Sequence, residues 1–65
     1  MRTRIQELRK AERMSQADLA VAMDVTRQTI ISLEKGRYKA SLELAHKLAK
    51  YFGLSIEEVF MFDEE

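Results

Sequence analysis

The chain has 65 residues, enough for one small domain, and 46% of them are hydrophobic, which supplies a core and excludes a disordered chain. The absence of cysteine excludes disulfides and thiolate metal sites. The longest unbroken apolar run, Leu19 to Met23, is far shorter than a membrane span. We therefore expect a cytoplasmic protein that makes no membrane contact.

Eleven basic and eleven acidic residues give a formal net charge of zero, but the two signs are unevenly placed. All the basic residues lie between Arg2 and Lys50, where six acids give this part a net charge of +5. The other five acids lie in the last nine residues. This distribution predicts a basic pole that attracts phosphates and an acidic end that faces away from them, although the acidic end can equally serve solubility.

The first predicted helix runs from about Thr3 to Arg13 and turns Ile5 and Leu8 towards the core. Arg9 lies at the edge of this apolar face, because it follows Leu8 by one position. A second helix begins after Ser15, a suitable N-cap, and we expect it to extend to about Met23. Its start is reinforced by a capping box, which requires an acid three residues after the cap: Asp18.

A third helix follows almost at once, because Thr26 is another suitable N-cap and Gly36 is suited to end the helix in a left-handed conformation. Only Asp24 and Val25 separate it from the second helix. So short a connection allows only a sharp corner. The stretch 15–36 is therefore predicted to be a helix-turn-helix.

The orientation of the third helix follows from its rotation of 100° per residue, which places Ile30 and Leu33 on the buried side. The opposite face is uncharged or basic and includes an isoleucine. In a major groove such side chains can hydrogen-bond to base edges or contact a thymine methyl group. The residues predicted to contact bases are Arg27, Gln28, Ile31 and Ser32.

Two motifs in this region, Q-x-x-L-A and V-[ST]-x-x-x-I-x-x-x-E-x-G, resemble the lambda repressor/Cro-type (XRE-like) helix-turn-helix family. Their positions in this chain are Gln16, Leu19, Ala20, Val25, Thr26, Ile30, Glu34 and Gly36. The resemblance covers nearly the whole chain and implies an all-α, five-helix, repressor-like domain. It also implies that Arg9 forms an ion pair with Glu34, where a solvent-exposed arginine is the alternative.

Asp24 departs from the family pattern, which usually has glycine at this turn position. Aspartate tolerates a positive φ angle better than most residues, so we expect local strain and the same fold. Phosphate contacts are expected from helix N-termini and from the basic loop that follows the third helix. The predicted phosphate-contacting residues are Gln16, Thr26, Lys35, Arg37, Tyr38 and Lys39. Tyr38 can instead pack against the fourth helix.

The fourth helix is predicted to begin after Ser41 and to end at Gly53. An apolar stripe on this helix faces the core: Leu44, Ala45, Leu48, Ala49 and Phe52. Glu43 and His46 have the spacing of a carboxylate–imidazole metal pair, but no second pair accompanies them. We therefore predict a solvated surface here and no metal site.

A fifth helix begins after Ser55, with Glu58 completing a capping box. The segment 54–65 contains more large apolar side chains than the end of a small domain can cover. A homodimer would bury them across a two-fold axis, and a short intermolecular β-pairing is compatible with their spacing. The alternative is a monomer that folds this segment onto its own core. The residues predicted at the dimer interface are Ile56, Val59, Phe60 and Phe62.

The sequence thus predicts a sequence-specific transcriptional regulator, and more specifically a repressor, that binds double-stranded DNA through the major groove. As a dimer it would bind a palindrome whose half-sites lie about 10 bp apart. An antitoxin or a protein-interaction adaptor on the same scaffold is the alternative. With one histidine, no cysteine and no nucleophile–base arrangement, we predict no catalytic residue, no cofactor and no small-molecule substrate.

Overall fold

The computed structural model describes residues 2–37 and 39–61, and five helices account for most of them. The helices are α1 (Ile5–Ala11), α2 (Gln16–Met23), α3 (Arg27–Glu34), α4 (Leu42–Phe52) and α5 (Ile56–Val59). Two short strands flank them, β1 (Arg2–Thr3) and β2 (Phe60–Met61). The predicted five-helix architecture is confirmed.

Side-chain caps begin four of the five helices at the predicted residues. Ser15 and Ser55 each form a complete capping box, and the hydroxyls of Thr26 and Ser41 each accept a hydrogen bond from the backbone N–H three residues later. In the first box, the hydrogen bond from the Ser15 backbone N–H holds the pKa of the Asp18 carboxyl below its usual value. These contacts satisfy backbone donors that the first helical turn leaves unpaired.

The corner between α2 and α3 has the left-handed conformation expected of its unusual aspartate. Asp24 has φ 60° and ψ 44°, and its backbone N–H donates to the Val21 carbonyl 3.1 Å away. The next amide, of Val25, donates to the Ala20 carbonyl at 3.0 Å. These two hydrogen bonds close the end of α2, so that only residues 24–26 lie between α2 and α3.

Helix α1 is shorter than the sequence predicts. Thr3 lies in β1, and Arg13 takes a left-handed conformation with φ 59° after the helix has ended at Ala11. The amide of Met14 then donates to the Arg9 carbonyl at 3.0 Å, which closes the C-terminus of α1. The predicted C-terminal end of α1 was wrong because glycine is usual at such a helix-ending position and this chain has an arginine there.

The two strands pair with each other in antiparallel orientation, with Arg2 opposite Met61 and Thr3 opposite Phe60. The Arg4 amide extends the contact by donating to the Val59 carbonyl at 2.8 Å. A strand at the C-terminal end was therefore predicted correctly, but its partner is the first strand of the same chain.

The helices enclose one hydrophobic core, which includes residues from α5 and β2. Val59 is 0% exposed and Phe60 is 3% exposed within the single chain. Because their own chain already covers both side chains, they have little surface left to bury against a partner. Their place at a dimer interface stays a prediction. Ile56 is half-buried and packs against the core. Phe62 lies outside the described residues.

Replacing Val59 by alanine tests this packing directly. The change should lower the free energy of unfolding by about 2 kcal/mol or more, because it leaves a cavity in the core. The matched control is Val21→Ala in α2, where the side chain is 81% exposed and the expected change is within about 0.5 kcal/mol. Urea denaturation followed by circular dichroism measures both. Equal effects of the two substitutions would contradict the assignment of Val59 to the core.

Candidate DNA-binding surface

Helix α3 has one covered side and one that solvent can reach. Ile30 and Leu33 are each 0% exposed, as the helical periodicity predicts. The four residues predicted to contact bases share the accessible side, the first two exposed and the last two half-buried: Arg27, Gln28, Ile31 and Ser32. Within this group, the Gln28 amide nitrogen lies 3.4 Å from the Ser32 hydroxyl. The fold therefore brings all four together on one helix face.

The ion pair that the family resemblance implies is present and joins α1 to the end of α3. Arg9 Nε donates to Glu34 Oε2 at 2.7 Å, and Arg9 Nη2 donates to Glu34 Oε1 at 3.2 Å. Both side chains are largely removed from solvent, with 9% and 5% of their surface exposed. The Glu34 carboxylate raises the pKa of Arg9 above its ordinary value, chiefly through these hydrogen bonds.

The same arginine also holds the turn between α1 and α2. Its third donor, Nη1, is 2.8 Å from the carbonyl oxygen of Met14. The guanidinium of this α1 residue thus contacts both the turn before α2 and the end of α3. Because the contacts are bidentate and shielded from water, they fix the angle of α3 more strongly than an exposed ion pair would.

A further side-chain link runs from this ion pair to the accessible face of α3. The Gln16 amide nitrogen donates to Glu34 Oε1 at 3.0 Å, and the Gln16 amide oxygen accepts a hydrogen bond from Arg27 Nη2 at 3.4 Å. Gln16 therefore connects a buried carboxylate to an exposed guanidinium. One N–H of the Gln16 amide is left over after these contacts and can donate elsewhere.

The residues predicted to contact phosphates lie at the two ends of α3 and at the start of α2. Thr26 is exposed, but its hydroxyl already accepts from the Thr29 amide at 3.2 Å and lies 3.0 Å from the Thr29 hydroxyl. Three basic residues after α3 are exposed: Lys35, Arg37 and Lys39. Tyr38 lies outside the described residues.

The described part of the chain also bears on metal, membrane and small-molecule sites. It contains no group of three or more histidine, aspartate or glutamate side chains placed to hold a metal ion. None of its helices has both the length and the apolar character needed to cross a membrane. A cleft of about 310 Å³ lies beside the corner between α2 and α3, and Lys47 of α4 lines one of its walls.

The sequence did not reveal the contacts that Gln16 makes or those that Lys47 makes. Gln16 and Arg27 are each the first residue of a helix, and only the angle between α2 and α3 brings their side chains together. Lys47 donates to the carbonyl oxygen of Met23 at 2.8 Å, across 24 positions of sequence. Spacing along one helix cannot indicate contacts of this kind, because they depend on how separate helices are packed.

These features define a helix-turn-helix DNA-binding domain: two capped helices, a left-handed corner and an accessible face on the second helix. The sequence profile of the helix-turn-helix family matches residues 5–59. The chain belongs to the lambda repressor/Cro-type (XRE-like) helix-turn-helix family. It is a DNA-binding transcriptional regulator and not an enzyme.

Relatives and solved structures of similar chains agree with this placement. An HTH-type transcriptional regulator of Archaeoglobus fulgidus is 52% identical over 65 residues, which span all of this chain and 92% of the relative. The cryptic phage CTXphi transcriptional repressor RstR of Vibrio cholerae is 33% identical over 88% of this chain and 51% of its own length. The crystal structure of the restriction-modification controller protein C.AhdI from Aeromonas hydrophila superposes with a TM-score of 0.77 at 33% identity, covering 88% of this chain and 86% of that one.

Removing the charge of Glu34 should reveal how much the buried ion pair stabilises the fold. Glu34→Gln leaves the Arg9 guanidinium shielded from water without its counter-charge, and we expect a loss of about 3 kcal/mol in the free energy of unfolding. Glu7→Gln is the control, because Glu7 pairs with Arg4 at 2.9 Å but keeps 64% of its side chain exposed. Its loss should stay below about 1 kcal/mol. If both variants unfold at the same urea concentration, the ion pair does not hold the fold together.

Proposed function

We propose that the protein is a sequence-specific repressor that binds a palindromic operator as a homodimer, with α3 of each subunit in the major groove. The observation that carries this proposal is the character of the accessible face of α3. The only acidic residue of α3 is Glu34, and Arg9 and Gln16 keep its carboxylate away from solvent. The face left to solvent therefore bears no negative charge that would repel phosphates.

Each residue on this face suits a particular contact in the groove. The Arg27 guanidinium can donate two hydrogen bonds to a guanine, and the Gln28 amide can pair with an adenine. Ile31 can pack against a thymine methyl group, and the Ser32 hydroxyl can bond to either kind of base edge. Because Gln16 already holds one nitrogen of Arg27, this arginine loses less side-chain freedom on binding than an unrestrained one.

Phosphate contacts would then fix how the domain sits on the duplex. The spare N–H of the Gln16 amide and the backbone amides that follow Thr26 are at helix N-termini, where anions are favoured. At the other end of α3, the exposed Lys35, Arg37 and Lys39 supply positive charge. The Tyr38 hydroxyl is a further proposed phosphate contact. Such contacts strengthen binding to any sequence, whereas the base contacts select one.

The dimer in this proposal uses a smaller interface than the sequence suggests. With Val59 and Phe60 inside the core, the contribution of the C-terminal segment reduces to the half-buried Ile56 and to Phe62. Repression would follow from occupancy, since a dimer bound at a promoter obstructs polymerase. The similarity to RstR, a transcriptional repressor, supports repression over activation.

The base-reading proposal is tested by Arg27→Ala combined with Gln28→Ala, measured on sites selected from a random DNA pool. Affinity for the selected site should fall about 100-fold or more, while affinity for scrambled DNA changes little. Arg37→Ala should instead weaken binding to both DNAs alike and reduce the salt slope by about 1. Lys50→Ala, an exposed charge on α4, is the control. A double variant that still distinguishes the selected site from scrambled DNA would disprove base reading by α3.

The homodimer is tested separately, by the mass of the protein in solution and by the spacing of the selected sites. Sedimentation equilibrium should give twice the chain mass at micromolar concentration. The selected DNA should contain inverted half-sites centred about 10 bp apart, which is one helical turn or about 34 Å. A monomer that selects single half-sites would contradict the dimer and leave the base-reading proposal intact.

A further inference from the structure

The corner cleft lies between the helix-turn-helix and the start of α4. Its volume is about 310 Å³, and its walls come from the α2–α3 corner, from α3 and from α4. Its lining residues are Met23, Asp24, Val25, Thr29, Ser41, Glu43, Leu44 and Lys47. Because the corner cleft is not filled by side chains, apolar packing alone does not fix the helix-turn-helix against α4 on this side.

One side chain does bridge the corner cleft. Lys47 Nζ donates a hydrogen bond to the carbonyl oxygen of Met23 at 2.8 Å. Met23 is the last residue of α2, where the carbonyl groups of the helix carry partial negative charge. Helix α2 has no basic residue in its own last turn, so α4 supplies the cation that this end lacks.

This contact joins two parts of the molecule that have different tasks. Helices α2 and α3 form the unit that would meet DNA, and Arg9 and Gln16 hold that unit together at the other end of α2. Helix α4 leads through Gly53 into α5, whose Ile56 belongs to the proposed dimer interface. The angle between the recognition helix and a dimer axis therefore depends on how the helix-turn-helix is held against α4.

We propose that Lys47 is a positioning residue that sets this angle, so that the two recognition helices of a dimer meet successive major grooves. The inference rests on the proposed homodimer. Lys47 contacts no DNA in this arrangement. Its ammonium acts through the Met23 carbonyl, and its loss would let the α2–α3 unit tilt into the space of the corner cleft.

Three variants separate positioning from charge and from general stability. Lys47→Met keeps the apolar stem of the side chain but removes the donor and the charge. Lys47→Arg keeps a cationic donor and should restore the behaviour of the unmodified protein. Lys50→Met is the matched control, because Lys50 is exposed on the same helix and has no side-chain hydrogen bond to another described residue.

Binding to a full palindrome and to a single half-site gives the decisive readout. Lys47→Met should lose about tenfold or more in affinity for the full site and less than about twofold for the half-site, because only simultaneous binding needs the correct angle. Lys50→Met should change the ratio of the two affinities little. In the free protein, amide residual dipolar couplings should report a changed angle between α3 and α4 for Lys47→Met alone.

The possible failures are distinguishable. If the unmodified protein prefers the full site but Lys47→Met lowers both affinities equally, or behaves like Lys50→Met, then the positioning role is wrong and the proposed dimer stands. Unchanged dipolar couplings in Lys47→Met would also overturn it. If the unmodified protein binds full and half-sites equally, the proposed dimer fails and this inference fails with it.

Discussion

A single side chain, that of Arg9, joins three segments of the chain: α1, the turn before α2 and the end of α3. It forms a bidentate ion pair with Glu34 at the end of α3, and it donates a further hydrogen bond to the Met14 carbonyl before α2. Because a small domain has little apolar surface to bury, a shielded ion pair contributes much to fixing how its helices are oriented. A buried ion pair is weak evidence of stability compared with an apolar replacement, but breaking one partner is costly. Its value here is that it defines one angle for α3.

The charge of the proposed DNA-binding face of α3 depends on this ion pair. Glu34 is on the recognition helix, and a free carboxylate there would oppose binding to phosphates. By accepting hydrogen bonds from Arg9 and Gln16, Glu34 becomes a structural anchor, and Gln16 then extends the anchored network to Arg27. Through Gln16, the buried Glu34 carboxylate thus helps to hold the exposed Arg27 guanidinium in place. The proposed DNA-binding surface and the contacts that hold the fold are parts of one network.

Local signals in the sequence predicted much of this structure. The N-caps at Ser15, Thr26, Ser41 and Ser55 mark helix starts because a capping hydroxyl acts on a backbone amide only three residues away. The burial of hydrophobic residues in α3 and α4 follows from helical periodicity in the same way. The roles of the surface residues in binding DNA stay predictions, since they concern a partner rather than the fold.

Contacts between distant segments could not be predicted in this way. The β1–β2 pairing involves two residues on each side, too few for a period-two pattern, and its partners Thr3 and Phe60 lie 57 positions apart in the sequence. Val59 and Phe60 are large apolar residues of the kind found at interfaces, and only the packed structure reveals that their own chain covers them. The link between Gln16 and Arg27 likewise needs the angle of the α2–α3 corner.

The pairing of β1 with β2 also bears on how the domain is made. Helices α1 to α5 lie between the two strands in sequence, so β2 is synthesised only after β1 and all five helices. The sheet can therefore close only after synthesis of the five helices is complete. Until then, the newly made chain lacks Phe60, one of the side chains of its core.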